Sequence, residues 1–267
     1  IHGQGIYTWN KGDKYDGEWI RNLSHGQATM SWTTGEKYVG QYANGLKHGQ
    51  GTMEYQNGDK YEGSFVKGGK DGQGTFTFIS GTKYIGEWKN NLEEGYGVLT
   101  WTDGEKYEGD WVDGYRTGKG KYTYESGTVY EGDFKNNKSE GSGSIIYSDG
   151  TKYVGEFKND WEHGEGTKEY ENGDKYIGQF DDGYMHGKGK MVYANGDIEE
   201  GLWEDNKFAE GKTTLAKFTT DEKYYALIIG NNDYEKLEDL DNAVNDAKDL
   251  EKVLREKYGF ETTLLLN

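Results

Sequence analysis

The five histidines are the first residues to test as general bases. They are His2, His25, His48, His163 and His186, and each stands immediately before a glycine at one position of a repeating pattern. A general base needs a nucleophile or an orienting partner placed beside it, and periodicity supplies neither. The spacing assigns these histidines to loop packing and hydrogen bonding within the repeat, not to catalysis or metal binding. The chain has no cysteine, so it carries no thiol nucleophile, no Cys-based metal site and no disulfide framework. Ser142 and Ser144 have no strand-to-helix elbow around them and no placed His/Asp partners. The Gly-x-Gly pairs, such as Gly49/Gly51 and Gly72/Gly74, precede aromatic strands rather than helices, so they lack the context of a phosphate loop. Gly211-Lys212-Thr213 looks like the end of such a loop, but Asn206 stands where the required glycine would be. Most carboxylates are spread over the repeat and read as a solvated face rather than a glycosidase pair.

One acidic segment remains. Between Gly230 and Ala247 stand Asp233, Glu235, Glu238, Asp239, Asp241 and Asp246, with Lys236 as the single base. A carboxylate at Asp246 suits two roles. It can favour a helix start through the helix dipole, or it can pair with a basic substrate side chain.

The elements that must position these residues follow from internal repetition. Tyr-x-Gly-x-aromatic recurs with a constant step of 23, from Tyr15-Gly17-Trp19 to Tyr176-Gly178-Phe180, and Glu199-Gly201-Trp203 is a ninth copy without its tyrosine. A turn glycine keeps the same step from Gly12 to Gly196. Each repeat reads as two short strands. In Tyr61-Glu62-Gly63-Ser64-Phe65 the rings and glycine share one face, and Gly74-Thr75-Phe76-Thr77-Phe78 alternates likewise. Asn57-Gly58 is a tight-turn signal between strands. Strand glycines leave room for a neighbouring ring. Composition agrees: only 32% of residues are hydrophobic but 15% are aromatic, which suits a thin sheet layered with rings rather than a thick aliphatic core. The predicted fold is mainly β, an elongated single-layer antiparallel sheet of nine hairpins over residues 1–211. At about 4.8 Å per strand it would extend roughly 85 Å. Trp19, Trp32, Trp88, Trp101 and Trp111 are expected to form an aromatic face that binds a partner.

The pattern stops near Gly211, and residues 212–223 read as a linker. Tyr225-Ala226-Leu227-Ile228-Ile229 is a continuous apolar run, as in a strand buried on both faces. Asn242 can cap a helix running to about Tyr258, with Val244, Ala247, Leu250, Val253 and Leu254 at helical spacing. Gly259 fits its end, and residues 261–266 read as a second strand. Residues 224–267 thus predict a βαβ unit, the opening of an α/β domain. No apolar run approaches ~18 residues, the length that would span a bilayer. The net charge of −17 opposes nucleic-acid phosphates and anionic headgroups, so neither nucleic acid nor membrane is an expected partner. No cofactor is expected, and the expected location is the cytoplasm.

Two resemblances follow from these residues. The Tyr-x-Gly-x-Trp/Phe strand, the following Gly-x-Gly and the Asn/Asp-Gly turn resemble the MORN repeat family over residues 1 to about 211. That resemblance implies a curved single-layer sheet used for protein contacts, often with self-association. Tyr225 to Asn232, Tyr234, the stretch Leu240 to Ala247 and Tyr258-Gly259-Phe260 resemble the start of caspase-like cysteine peptidases of the bacterial and metacaspase type. In that family the catalytic His and Cys follow the third and fourth core strands. They are therefore expected beyond Asn267, and this chain alone is expected to be inactive. Asp246 matches the position of an acidic pocket residue for Arg or Lys in metacaspases. Together the resemblances imply a recognition or scaffold arm that regulates a caspase-like endopeptidase, with a protein partner or a second copy on the arm and a peptide substrate on the peptidase. Relatives of this class are linked to cell death or defence. The rival expectations are a pure scaffold with a degenerate caspase-like part, or a membrane-contact module.

Overall fold

The computed structural model describes residues 1–215, 225–230, 243–258 and 260–266. Nineteen strands form one antiparallel sheet in which each strand pairs with the next in sequence. After β1 (Gly3–Thr8), each repeat supplies a short strand and a longer one. These are β2 (Lys14–Ile20) and β3 (Leu23–Ser31), β4 (Lys37–Ala43) and β5 (Leu46–Glu54), β6 (Lys60–Val66) and β7 (Gly69–Thr77). They continue with β8 (Lys83–Lys89) and β9 (Leu92–Thr100), β10 (Lys106–Val112) and β11 (Tyr115–Thr123), β12 (Val129–Lys135) and β13 (Lys138–Ile146). The last are β14 (Lys152–Lys158) and β15 (Trp161–Glu169), β16 (Lys175–Asp181) and β17 (Tyr184–Val192), β18 (Ile198–Glu204) and β19 (Lys207–Thr214).

The centre of this sheet is a row of glycines. Every strand contributes one residue to a line of direct cross-strand partners, from Gly5 and Gly17 to Gly201 and Gly211. Ala28 is the one exception. The row exists because the repeat's tyrosine lies flat on it. A Cβ built at Gly51 would sit 2.4 Å from Tyr38 Oη, and one at Gly74 2.3 Å from Tyr61 Oη. With the glycines bare, eight tyrosines from Tyr15 to Tyr176 are at most 1% exposed. A single-layer sheet thus obtains a core from its own side chains.

The hairpin geometry differs from the expected one. Asn57-Gly58 lies in a five-residue connection between β5 and β6, closed by Gly58 N–H donating to Tyr55 O at 2.9 Å. The tight turn is at Lys67-Gly68, where both residues have positive φ (50° and 92°). Nine such two-residue turns recur, including Arg21-Asn22 and Asn159-Asp160. Paired positive φ is the geometry that matches the twist of antiparallel strands. The longer strand starts at the tight turn, so β7 begins at Gly69 rather than at Gly74. The first glycine of Gly-x-Gly is a bulge inside it: Gly72 has φ +95° and the pairing slips between Gly63 and Phe65. Asp71, Gly72 and Gln73 there oppose Ser64 alone, so the bulge accommodates two extra residues and increases local twist. Its N–H groups are capped by side chains of the short strand, as Lys119 N–H donates to Asp110 Oδ2 at 2.9 Å and Gln50 N–H to Gln41 Oε1 at 3.2 Å.

Each tight turn also donates to the preceding repeat, as in Gly68 N–H to Lys47 O and Gly114 N–H to Glu93 O, both 2.9 Å. Contacts are therefore nearest-neighbour along the array, as in other repeat proteins. The sheet ends at Thr214, three residues past the expected boundary, because Lys212–Thr214 still pair with β18. Residues 216–223 of the expected linker lie outside the described residues.

The C-terminal segment is a βαβ unit, as expected. Strand β20 (Tyr225–Gly230) pairs in parallel with β21 (Glu261–Leu266), and helix α1 (Ala243–Tyr258) connects and contacts both. Ala247 is buried. Phe260 N–H donates to Leu254 O at 3.1 Å, which closes the helix end, and Thr262 Oγ1 donates to Glu251 at 2.6 Å.

Candidate recognition surface

The ring-bearing face of the sheet combines a core and a rim. In the core, each strand tyrosine meets the next aromatic edge to face. The chain runs Trp19, Tyr15, Tyr42, Tyr38, Phe65, Tyr61, Trp88, Tyr84 and Trp111. It continues through Tyr107, Phe134, Tyr130, Phe157, Tyr153, Phe180 and Tyr176 to Trp203 without a break. Tyr61 and Phe65 are representative, with centroids 5.1 Å apart and planes at 90°. This is the arrangement that ring quadrupoles favour. Each tyrosine hydroxyl is satisfied locally, since Tyr38 donates to Gln41 O at 2.9 Å and Tyr107 to Asp110 O at 3.0 Å. Burial pushes the Tyr38 phenol up to about 12 and raises Tyr61, Tyr84, Tyr107 and Tyr130 as well. These phenols remain protonated donors at neutral pH.

The five tryptophans expected as a contact face divide between these layers. Trp19, Trp88 and Trp111 are 7%, 4% and 5% exposed. They are core, because each ring is wedged against a strand tyrosine, and Trp88 and Trp111 also donate Nε1–H to Gly74 O and Gly97 O. Trp32 and Trp101 are half-buried and belong to a rim packed on that core, with Tyr55, Tyr122, Tyr124, Tyr147, Tyr170 and Tyr193. A partner reaching this face meets the rim, not the core rings.

A charged ladder runs along the same face at the second position of the longer strands. Its members include Lys47, Lys70, Glu93, Arg116 and Glu162. Lys70 Nζ lies 3.6 Å from the Trp88 ring centre, 4.6 Å from Phe76 and 5.6 Å from Tyr61. Burial lowers its ammonium to about 8, with Glu93 partly opposing. Glu162 is 3% exposed yet fully engaged, holding Lys168 Nζ at 2.8 Å and Tyr147 Oη at 2.8 Å. The ladder was invisible to a search for strand periodicity. Aligning the 23-residue copies in a column would have found it as a charge that changes sign inside an aromatic context.

The remaining described candidates are spread over the strands and the helix. His25, His48, His163 and His186 lie within β3, β5, β15 and β17 rather than in loops. Each precedes a bulge glycine of positive φ. The carbonyls of His25 and His163 accept from Tyr15 and Tyr153. His163 Nδ1 is 3.1 Å from Asp181 Oδ1, and Asp182 places a carboxylate oxygen within 4.8 Å of both. That contact is an ion pair only when the imidazole is protonated, and it lacks hydrogen-bond direction. Ser142 N–H donates to Asp133, and Ser144 Oγ donates to Glu131 O. Lys212 and Thr213 lie in β19, a strand, which removes the phosphate-loop reading. Asp246 stands in the first turn of α1. Asp233, Glu235, Lys236, Glu238, Asp239 and Asp241 lie outside the described residues. No described helix is long and apolar enough to cross a membrane.

Comparison with family models agrees with this architecture. The sequence model of the MORN repeat matches nine segments, residues 1–14, 15–37, 38–60, 61–83, 84–106, 107–129, 130–152, 153–175 and 176–198. The caspase domain model matches residues 223–267. No curated protein matches. Among solved structures, the chain is similar to the TCP10 domain of Danio rerio CPAP in complex with a peptide of Danio rerio STIL. That match has 13% identity, covers 73% of this chain and 82% of the other, and has a TM-score of 0.40. The SAS-4 (dCPAP) TCP domain of Drosophila melanogaster, in complex with a proline-rich motif of Ana2, matches at 14% identity. It covers 75% of this chain and 90% of the other, with a TM-score of 0.34.

Proposed function

The chain belongs to the MORN repeat family, and from that premise we propose that its array is a protein-recognition arm controlling a caspase-like cysteine endopeptidase. The observation that carries this reading is the half-exposed aromatic rim laid along a rigid, fully packed core. Aromatic side chains offer large contact area at low entropic cost, and a preorganised surface loses little on binding. The match of residues 223–267 to the caspase domain supports a peptidase as the element controlled. The arm's occupant is a protein partner or a second copy of this chain. The net charge of −17 favours a basic protein over an anionic bilayer. An array without cysteine needs no oxidising compartment, which suits the cytoplasm.

The acidic segment around Asp246 supports a preference for Arg or Lys at the cleaved position. A substrate carboxylate there would lose water without gaining a partner, while a guanidinium would gain a charge-assisted pair. In a protein carrying the complete caspase domain, Asp246→Ala should depress cleavage of basic peptides and leave folding intact. A preference for Asp would reject the assignment.

Photo-crosslinking tests the arm itself. A crosslinker placed at Tyr55 or Tyr124 on the rim should capture a protein, or a second copy, from its native setting. The same group at Val154 or Ile177, which are exposed on the opposite face, should capture far less. Equal capture from both faces would remove the case for the rim.

A further inference from the structure

The charged ladder creates one site of distinct chemistry. At the ladder position three repeats place the protein's own cation over the rings, and in a fourth Lys168 Nζ lies 5.2 Å from the Tyr147 ring centre. Lys47 Nζ lies 5.3 Å from the Phe65 ring centre and 5.6 Å from Tyr38. Lys70 lies over Trp88, Phe76 and Tyr61. Arg116 Cζ lies 5.2 to 5.7 Å from Tyr122, Tyr107 and Phe134. The ring faces are electron-rich, and a desolvated cation over them is attracted by the ring quadrupole.

The repeat between Lys70 and Arg116 breaks this pattern. The ladder position there is Glu93, and the corresponding rings are Tyr84 and Trp111. Phe78, Ser80, Thr82, Leu99, Trp101 and Gly114 complete the walls of an open cavity of about 310 Å³. Glu93 is half-buried in it, and its carboxylate forms neither a hydrogen bond nor an ion pair with any described residue. Its neighbours on the ladder are already committed, Lys70 to Trp88 and Arg116 to the rings of its own repeat and to Asn137 O at 2.7 Å. The box thus keeps, in Tyr84 and Trp111, the ring pair that holds Lys47 in its own repeat, with Leu99 at the position of Phe76 and Tyr122, and it replaces the internal cation with a carboxylate. Both changes attract an external positive charge.

We propose that the box formed by Tyr84, Trp101, Trp111 and Glu93 receives the arginine or lysine side chain of a protein partner. The rings contact the stem and the face of the cation, and Glu93 supplies a charge-assisted hydrogen bond. Its volume is at the lower end for ligand pockets, which suits one side chain rather than a cofactor. The proposal names the partner chemistry for the recognition arm and rests on that reading of the aromatic rim.

The test uses this chain with N-acetyl-arginine amide, N-acetyl-lysine amide and the neutral N-acetyl-citrulline amide as probes. The readout is the indole resonances of Trp101 and Trp111 in an NMR titration. The arginine or lysine probe should shift both resonances saturably, and citrulline should not. Glu93→Gln should weaken binding by about tenfold, the loss expected of one charge-assisted contact. Glu93→Lys reproduces the arrangement at position 70 and should abolish probe binding while the other indole resonances stay in place. If that variant fails to fold, the glutamine variant still decides. Equal shifts from citrulline, no shift from any probe, or unaltered binding in the folded variants would overturn the proposal. A partner crosslinked at Tyr124 that binds Glu93→Lys undiminished would overturn it too, while leaving the recognition arm standing.

Discussion

The two faces of the sheet share one backbone but are built to different rules. On the ring-bearing face nearly every position is dictated by its neighbours: tyrosine on glycine, Trp or Phe on tyrosine, hydroxyl on backbone carbonyl. On the opposite face Val39, Ile85, Val154 and Ile177 are 43–61% exposed, and the same repeat position holds Asp16, Glu62, Glu108, Glu131 and Glu200 in the other copies. The difference separates what the array needs for folding from what it is free to vary. On the dictated face the variation lies in the rim and the charged ladder, where even the sign of charge changes from repeat to repeat, while the core position keeps a ring, Trp, Tyr or Phe, in every copy.

The largest expected effect comes from removing a core ring. Tyr107 is fully buried over Gly109 and Gly120 and between Trp111 and Phe134. Tyr107→Ala should cost about 3–5 kcal/mol, as for other large-to-small core changes. Contacts are nearest-neighbour, so hydrogen exchange should speed up in β9 to β13 well before it does in β2 or β18. Uniform acceleration along the whole array would contradict the local account. A loss below about 1 kcal/mol, the range of ordinary surface changes, would mean the ring is not core.

Two glycines sharpen the same contrast. A Cβ at Gly120 would lie 2.5 Å from the Tyr107 ring and hydroxyl, on backbone that any residue can adopt. Gly120→Ala should cost about 1–3 kcal/mol through overpacking. Gly104 has φ +95° and nothing within 4 Å of the added atom. Gly104→Ala should cost about 1 kcal/mol, from backbone strain alone. Thermal unfolding of both variants measures the order, and a larger loss at Gly104 would show that turn conformation outweighs the glycine row.

The smallest effect is electrostatic. The Lys70 amine should titrate near 8, against 10.5 for the free group. Its folded pKa is depressed, so burying the charged form opposes folding below about 8, and that penalty fades as pH rises toward 10.5. The Lys70 contribution to stability should therefore increase between pH 8 and 10. Above that window the raised tyrosine pKa values act in the opposite sense, since only the unfolded chain ionises readily. An NMR titration of the Lys70 side chain, with Lys70→Met as control for the stability slope, checks this. A pKa at or above 10.5 would mean that the rings stabilise the ammonium more than burial opposes it.

Much of this was legible in the residues. The step of 23, the period-two alternation of Tyr61, Gly63 and Phe65, and the unbroken apolar run at Tyr225 are direct records of backbone geometry. The tight turns were not legible. Arg21-Asn22 and Asn159-Asp160 adopt left-handed backbone without glycine, held by their hydrogen bonds to the preceding repeat, whereas Asn57-Gly58 carries the stronger local signal and serves the longer connection. The bulge glycine Gly72 resembles a loop residue until its partner strand is known. The fate of the tryptophans was also hidden. Alternation assigns Trp88 to a face, but only the tyrosine lying on the glycine row shows that this face covers itself. The shared register of the histidines was legible from spacing alone, while Glu93 could be recognised only against Lys70 and Arg116 in register.

Control of the peptidase by occupancy of the aromatic rim, as proposed above, is open to a direct measurement. The direct measurement is the rate at which a protein carrying this array and the complete caspase domain cleaves an arginine-containing fluorogenic peptide, with and without the partner captured at Tyr124. It should be made for the wild type and for a folded variant with Tyr124→Glu and Tyr170→Glu on the rim. The account predicts that saturating partner changes the wild-type rate and leaves the variant's rate at its basal value. A wild-type rate that stays the same while the partner is demonstrably bound would contradict it.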